Sequence, residues 1–357
     1  MFETPVGARP ASAAPPAHRL LVLVNPAAGG VEAAEVEELT LECERRCASV
    51  QRVETSASGG GVDGTERSVS AADARGEPPH WIVVAGGDGT AAEAAEGLAR
   101  ARGSWPAGHA PDGGPAILPM PLGSGNTVHR ALWGDRTWRE TLAAALAGDC
   151  EARTLDMVCL CGDDEGSMLG VNVGILAHIG HLIEARKAEE RAASGTIATD
   201  EAATGERYAA AIAQAIEEHK PFPAQVKVDG SVVHEGPTTL ATVGGLGRFL
   251  RGNFNFLPRS KLDDELLDLC IFTDFEGQAF FEAAASSMSG DHLGQPGVVY
   301  AQGRRVEVER TDAEPLMIEH DGNPRPATDR ASVQVVPRVV PWLMAPTGGR
   351  DGDTGSG

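Results

Sequence analysis

Short apolar runs that close on glycine-rich turns, each followed by a helical stretch, recur through the first 150 residues. Leu20 to Val24 is unbroken apolar sequence, the mark of a strand buried on both faces, and it stops at Asn25-Pro26-Ala27-Ala28-Gly29-Gly30. Residues 31–48, with Val36, Leu39, Leu41 and Cys43, predict a helix, Val50–Thr55 a second strand, and the Gly/Ser-rich stretch Ser56–Gly64 a loop. Ile82 to Ala85 is another buried strand; it runs into Gly86-Gly87-Asp88-Gly89-Thr90 and a helix over 91–102. A strand at Ala116–Pro119 leads into Pro121-Leu122-Gly123-Ser124-Gly125-Asn126 and a further helix. This alternation predicts a parallel sheet whose glycine-rich loops share the carboxyl edge, where ligands of such sheets collect.

After about residue 150 the pattern changes to short alternating stretches at Thr154–Cys161, Ser167–Val173, Gln225–Asp229, Thr238–Val243 and Leu266–Phe272, interrupted by helical segments at 181–192 and 205–219. Val298–Glu309 and Leu316–His320 continue it, and Ser332–Val336 is a last strand that can return to the first domain. The expected architecture is α/β: an N-terminal three-layer parallel-sheet nucleotide domain over 19–150 plus about 325–346, and a mostly antiparallel β-sandwich domain over 151–324. The Ala/Pro-rich residues 1–18 and the Gly/Asp-rich residues 347–357 are expected to be disordered tails.

Composition narrows the function. The 357 residues are 42% hydrophobic and 23% charged, ordinary for a globular protein of two domains, but the formal net charge is −21. That balance argues against a nucleic-acid partner and against broad adhesion to anionic membranes. Arg248, Arg251, Arg259 and Lys261 are a candidate local basic patch, or simply a solvated loop. The six cysteines have no CxxC spacing, and the run at Leu20–Val24 is too short for a signal or membrane span, so a cytoplasmic protein with reduced thiols is expected.

Candidate chemistry concentrates at Gly86–Thr90. Glycines let a ligand lie against bare backbone, and the following helix start aims free N–H groups at a phosphate. A carboxylate in such a turn repels its ligand unless a divalent cation lies between them. Asp88 therefore points to a Mg²⁺-nucleotide site, the competing reading being a plain turn with Asp88 as N-cap.

Taken together, the loops resemble the diacylglycerol kinase catalytic-domain superfamily over about residues 20–340. Asn25-Pro26-Ala27-Ala28-Gly29 is similar to NPxSG, Gly86–Thr90 matches GGDGT with Glu93 after it, and Pro121–Asn126 with Arg130 is similar to P-x-GTGND-x-x-R. Asp156, Asn172 and Gly174 fall where the family enters its β domain. Pro258–Asp264 with Asp268 resembles P-x-A-x-LDDG-x-LDV, and Asp321-Gly322 resembles the terminal DGE. Thr127, Glu265 and Asn323 depart from the pattern, replacing an aspartate, a glycine and a glutamate; Glu319 and Asp263 are candidate substitutes for the lost carboxylates.

The resemblance implies ATP and Mg²⁺ as cofactors and phosphorylation of a lipid hydroxyl, of diacylglycerol or sphingoid type. Asn25, Pro26, Gly29, Gly86, Gly87, Asp88, Gly89, Thr90, Glu93, Gly123, Ser124, Gly125, Asn126 and Arg130 would hold the nucleotide. Asp88, Asp263 and Asp264 would serve the metal, with Asp88 and Asp264 catalytic and Asp264 the base. The partner would be a lipid at a membrane surface, met by a cytoplasmic protein peripheral at the inner face; a second copy of the chain is a further candidate partner. Simpler roles stay open at several positions: Asn25-Pro26 as a strand stop, Asp263-Asp264 as an acidic turn, Arg130 as a helix ion pair and Asp321-Gly322 as a β-turn. Alternatives of function are a nucleotide-binding regulator that has lost catalysis and a NAD kinase-like enzyme.

Overall fold

The computed structural model describes residues 18–26, 28, 31–55, 60–162, 165–195, 197, 201–246, 248–249 and 254–346. Residues 1–17 and 347–357 of the expected tails lie outside them, as do Gly29 and Arg251 and, for its side chain, Arg248. Strands β1 (Arg19–Val24), β2 (Ser49–Glu54), β3 (Trp81–Gly86) and β4 (Ala116–Pro121) pair in parallel in the order β2-β1-β3-β4. The central strands β1 and β3 are buried nearly throughout, whereas the edge strand β2 is polar and half exposed. Helices α1 (Ala33–Arg46), α2 (Gly60–Ala74), α3 (Asp88–Ala101), α4 (Thr127–Trp133) and α5 (Trp138–Ala147) contribute Leu39, Val69, Leu98, Leu132 and Leu142 to one core with these strands.

Then follow β5 (Glu151–Leu160), β6 (Glu165–Ser167), β7 (Gly170–Gly174), α6 (Ile175–Ser194), α7 (Glu201–Glu218), β8 (Phe222–Val228) and β9 (Ser231–Thr238). The remainder is β10 (Leu240–Gly244), β11 (Arg248–Phe249), β12 (Phe254–Asn255), β13 (Leu267–Phe272), α8 (Gly277–Ala285), β14 (Val298–Gly303), β15 (Arg305–Arg310), β16 (Leu316–His320), β17 (Asn323–Thr328) and β18 (Arg330–Met344). β18 joins the two halves. Near its end Trp342 pairs in parallel with Ile117 of β4, while its length runs antiparallel to β5 and its first half antiparallel to β15. The parallel sheet thus continues without a break into the antiparallel strands β15-β8-β9. A second sheet, β14-β13-β10-β7-β16-β17, stacks on that antiparallel part, with Val158, Val226, Val306 and Val333 meeting Val171, Val243, Leu269 and Ile318. Its outer face carries α6, α7 and α8 through Ile179, Ala211 and Phe280. The α/β class and the β-sandwich agree with expectation. Among the described residues no helix is long and apolar enough to cross a membrane.

The largest departure from the expected elements is α2, which begins at Gly60 inside the stretch expected to be a loop. Glycine weakens a helix on its own, but here it removes bulk where helices touch. A Cβ on Gly61 would collide with Glu93 of α3, and one on Gly97 of α3 would collide with the Val62 carbonyl. Tertiary packing overrides propensity. The edge strands β9 and β17 were also not expected, and prolines at 324 and 326 hide β17, as an edge strand tolerates.

Gly97→Ala therefore sets a helix-propensity gain of about 1 kcal/mol against a backbone clash. We expect a net loss of about 1–3 kcal/mol in urea denaturation.

Candidate active site

Two glycine loops meet without side chains between them. β3 ends at Gly86, Gly87 caps α3, and a Cβ on Gly123 would collide with the Gly87 Cα. The second loop is pinned by Asn126, which occupies the left-handed region at φ 53°, accepts from the Gly123 N–H at 2.8 Å and donates to its carbonyl at 2.7 Å. Asp88 then locks the loops together. Its Oδ2 accepts from the Thr127 N–H at 3.0 Å and its Oδ1 from the Val128 N–H at 2.8 Å. Asp88 is thus the first residue of its own helix, not its N-cap, and its carboxylate caps α4 from the neighbouring loop. Burial pushes its pKa up, Asp321 adds to this, and the two amides oppose it. Asn25 donates to Thr90 Oγ1 at 3.1 Å, tying the first loop to the start of α3.

These loops open on one cavity of about 520 Å³. Asn25, Gly87, Asp88, Gly89, Thr90, Glu93, Ser124 and Gly125 line it at one end. Gly86, Gly123 and Asn126 stand behind the lining as the supports just described, and neither Pro26 nor Arg130 lines it; Arg130 donates to the Gly125 carbonyl at 3.2 Å. Gly29 is outside the described residues. The opposite wall is apolar, built from Leu176, Ile179 and Ile183 of α6 and Tyr208 of α7.

Between the two ends stands the β16–β17 hairpin, whose tight turn is Asp321-Gly322, both at positive φ. The turn does two jobs. Asp321 lines the cavity, and its Oδ1 accepts from Ser167 Oγ, from the Leu169 N–H at 3.1 Å and from the Gly170 N–H at 3.3 Å. Two residues earlier, Glu319 also lines the cavity. It accepts from Asn172 Nδ2 at 2.5 Å and from the Gly322 N–H, and no cationic side chain among the described residues pairs with it. Burial, with Asp321 nearby, raises its pKa to about 7. Asp321 thus lies near both Asp88 and Glu319, whose protonated forms it favours.

Asp263 and Asp264 are not brought to this cavity. Asp263 pairs with Arg153 at 3.4 Å, and Asp264 accepts from the Leu266 N–H within its own loop. That loop is anchored by Asp156, whose Oδ2 accepts from the Glu265 N–H at 2.7 Å and whose Oδ1 accepts from the Arg338 N–H at 2.7 Å. Glu265 sits at φ 62°, a conformation that suits the glycine expected there. Asp268 is fully buried beneath the same loop and accepts from Tyr300 and Gln302. Asp321-Gly322 resembles the family's terminal DGE in sequence, but a DG pair at a hairpin reads as a turn and leaves Asp321 without a role; nothing local marks Ser167 or the α6 wall.

The donors fit a magnesium ion held mainly by phosphates and water. Asp88 supplies a half-buried carboxylate, Asp321 and Glu93 lie on the same cavity, and no group of three or more metal-ligating side chains is preassembled among the described residues.

Residues 19–162 match the diacylglycerol kinase catalytic domain, and residues 186–344 match the YegS C-terminal NAD kinase beta sandwich-like domain. No curated protein matches the chain. Among solved structures, it is similar to a candidate diacylglycerol kinase from Bacillus anthracis str. Sterne, with 19% identity and a TM-score of 0.65 over 92% of this chain and 98% of the other. A diacylglycerol kinase from the same organism is similar at 18% identity and a TM-score of 0.59, over 92% of this chain and 97% of the other. At these identities the likeness is one of fold.

Two measurements check the site's internal logic. Asp88→Ala leaves two helix amides uncapped and should cost about 2 kcal/mol in chemical denaturation. Glu319 binds its proton more tightly folded than unfolded, so its contribution to stability is full at low pH and fades as pH rises through about 7. Wild type should lose on the order of 2 kcal/mol between pH 5 and 7.5 that Glu319→Gln does not lose.

Proposed function

Since this chain belongs to the diacylglycerol kinase catalytic-domain superfamily, we propose that it transfers the γ-phosphoryl group of ATP to a lipid hydroxyl. One observation carries the reading: a single cavity has glycine-loop backbone and Asp88 at one end and the apolar faces of α6 and α7 at the other. A nucleotide triphosphate suits the first end and a lipid head with the start of its chain the second. The loops and the α3 N-terminus offer N–H groups to the phosphates, and Thr90, Asn25 and Ser124 add uncharged donors. Bound magnesium would be held by Asp88 with the phosphates and would neutralise charge as the phosphoryl group moves.

Asp321 is the proposed proton acceptor in place of Asp264. It lines the cavity near Asp88 and Glu319, and Ser167 with two backbone amides holds its Oδ1. None of these bonds falls on Oδ2, which is left to take the hydroxyl proton. Asp264 belongs instead to the loop that Asp156 anchors beneath β18.

The test is transfer of labelled phosphate from ATP, with magnesium, to lipids in mixed micelles. Asp321→Asn keeps a side chain that accepts the left-handed turn, and we expect kcat to fall about 100- to 10,000-fold with nucleotide binding kept. A fall of that size in Asp264→Asn and none in Asp321→Asn would contradict the assignment.

A further inference from the structure

Glu319 is the least explained group in the cavity. It is 6% exposed at the cavity wall, and no basic side chain pairs with it among the described residues. Its two hydrogen-bond donors are both neutral: the Asn172 amide and the Gly322 N–H. Its hydrogen-bonding neighbour Asn172 is 3% exposed, lines the same cavity, and has an Oδ1 with no partner. A buried carboxylate without a counter-charge, beside an unused acceptor, is costly unless a ligand supplies donors and positive charge.

The rest of the lining points the same way. Asp88, Glu93, Glu184 and Asp321 share the cavity, and its one basic side chain among the described residues, Lys187, is already paired with Glu184 at 2.5 Å. An anionic head group would meet repulsion here. A neutral diacylglycerol would leave Glu319 and the Asn172 acceptor unanswered, because its one hydroxyl is the group that reacts. Position adds a constraint: Glu319 precedes Asp321 by two residues at the same hairpin end and touches the apolar wall at Gly180, where a Cβ would come within 3.1 Å of the Glu319 Cγ. Whatever donor reaches Glu319 therefore lies next to the hydroxyl at Asp321 and at the start of the apolar chain.

We propose that the acceptor is a long-chain amino alcohol, with its ammonium held by Glu319 and Asn172 and the neighbouring hydroxyl presented to Asp321. The proposal deepens the lipid-kinase reading and rests on it. In the reaction the hydroxyl oxygen forms a bond to the γ-phosphorus, the bond from that phosphorus to the β,γ-bridging oxygen breaks, and ADP leaves. The hydroxyl proton passes to Asp321, and the ammonium is unchanged.

The experiment compares three acceptors with the wild-type chain, ATP and magnesium in mixed micelles: sphinganine, N-acetylsphinganine and 1,2-dioctanoylglycerol. Binding of sphinganine is measured separately, without nucleotide, by tryptophan fluorescence. We expect kcat/KM for sphinganine to exceed that for N-acetylsphinganine at least tenfold, and Glu319→Gln to shrink that ratio at least tenfold. Equal use of the two, or preference for dioctanoylglycerol, overturns the proposal and leaves the kinase reading intact. Sphinganine binding that depends on Glu319, without phosphorylation of any of the three, supports the subsite and counts against the kinase reading. Absence of both binding and transfer overturns the proposal, and the wild-type comparison decides the matter even if Glu319→Gln does not fold.

Discussion

The Asp88 carboxylate, held by two amides of a helix that begins in another loop, is the contact on which the site depends. Asp88 opens α3, and its oxygens cap α4. Each helix alone would leave its first N–H groups to water. Tied together, both aim their positive ends at one volume, and the contact between Gly87 and Gly123 leaves no room for a side chain to separate them. One carboxylate can thus brace the cradle and still line the cavity.

The continuous sheet extends that rigidity to the apolar side of the cavity. β18 pairs with β4 of the parallel half and with β5 and β15 of the antiparallel half. A second strap runs from α3, where Glu96 accepts from the Gly166 N–H at 2.8 Å. Gly166 adjoins Ser167, which holds Asp321. Helix α3, which starts at the glycine loops, and the Asp321 turn on the same cavity are therefore linked through a few residues of β6. Glu96 is buried with a counter-charge, Arg100, beside its amide partner, whereas Glu319 has only neutral donors among the described residues.

Much of this was legible in the chain. The glycine loops announce themselves because their geometry is local: an apolar strand, glycines, a carboxylate and a helix within a dozen residues. The β texture after residue 150 was equally plain from alternation. What the chain hid is what sheet pairing assembles. Asn172 and Glu319 are cross-strand neighbours on β7 and β16, and Ser167 reaches Asp321 across the same region, yet about 150 residues separate each pair. Asp321 sits in a hairpin turn, and in sequence a DG pair reads as that turn alone. Asp264 stood out through the resemblance of Pro258–Asp264 to a family element, and its neighbours tie that loop to Asp156 and Arg153. α2 was lost because its glycines serve packing against α3 rather than flexibility.

The most direct test is a crystal structure of the chain with magnesium and β,γ-methylene ATP. The account predicts the triphosphate against Gly87–Thr90 and Ser124–Gly125, with the terminal phosphate directed toward Asp321 and the apolar wall of α6. A nucleotide bound elsewhere, or a terminal phosphate directed toward Asp264, would contradict it.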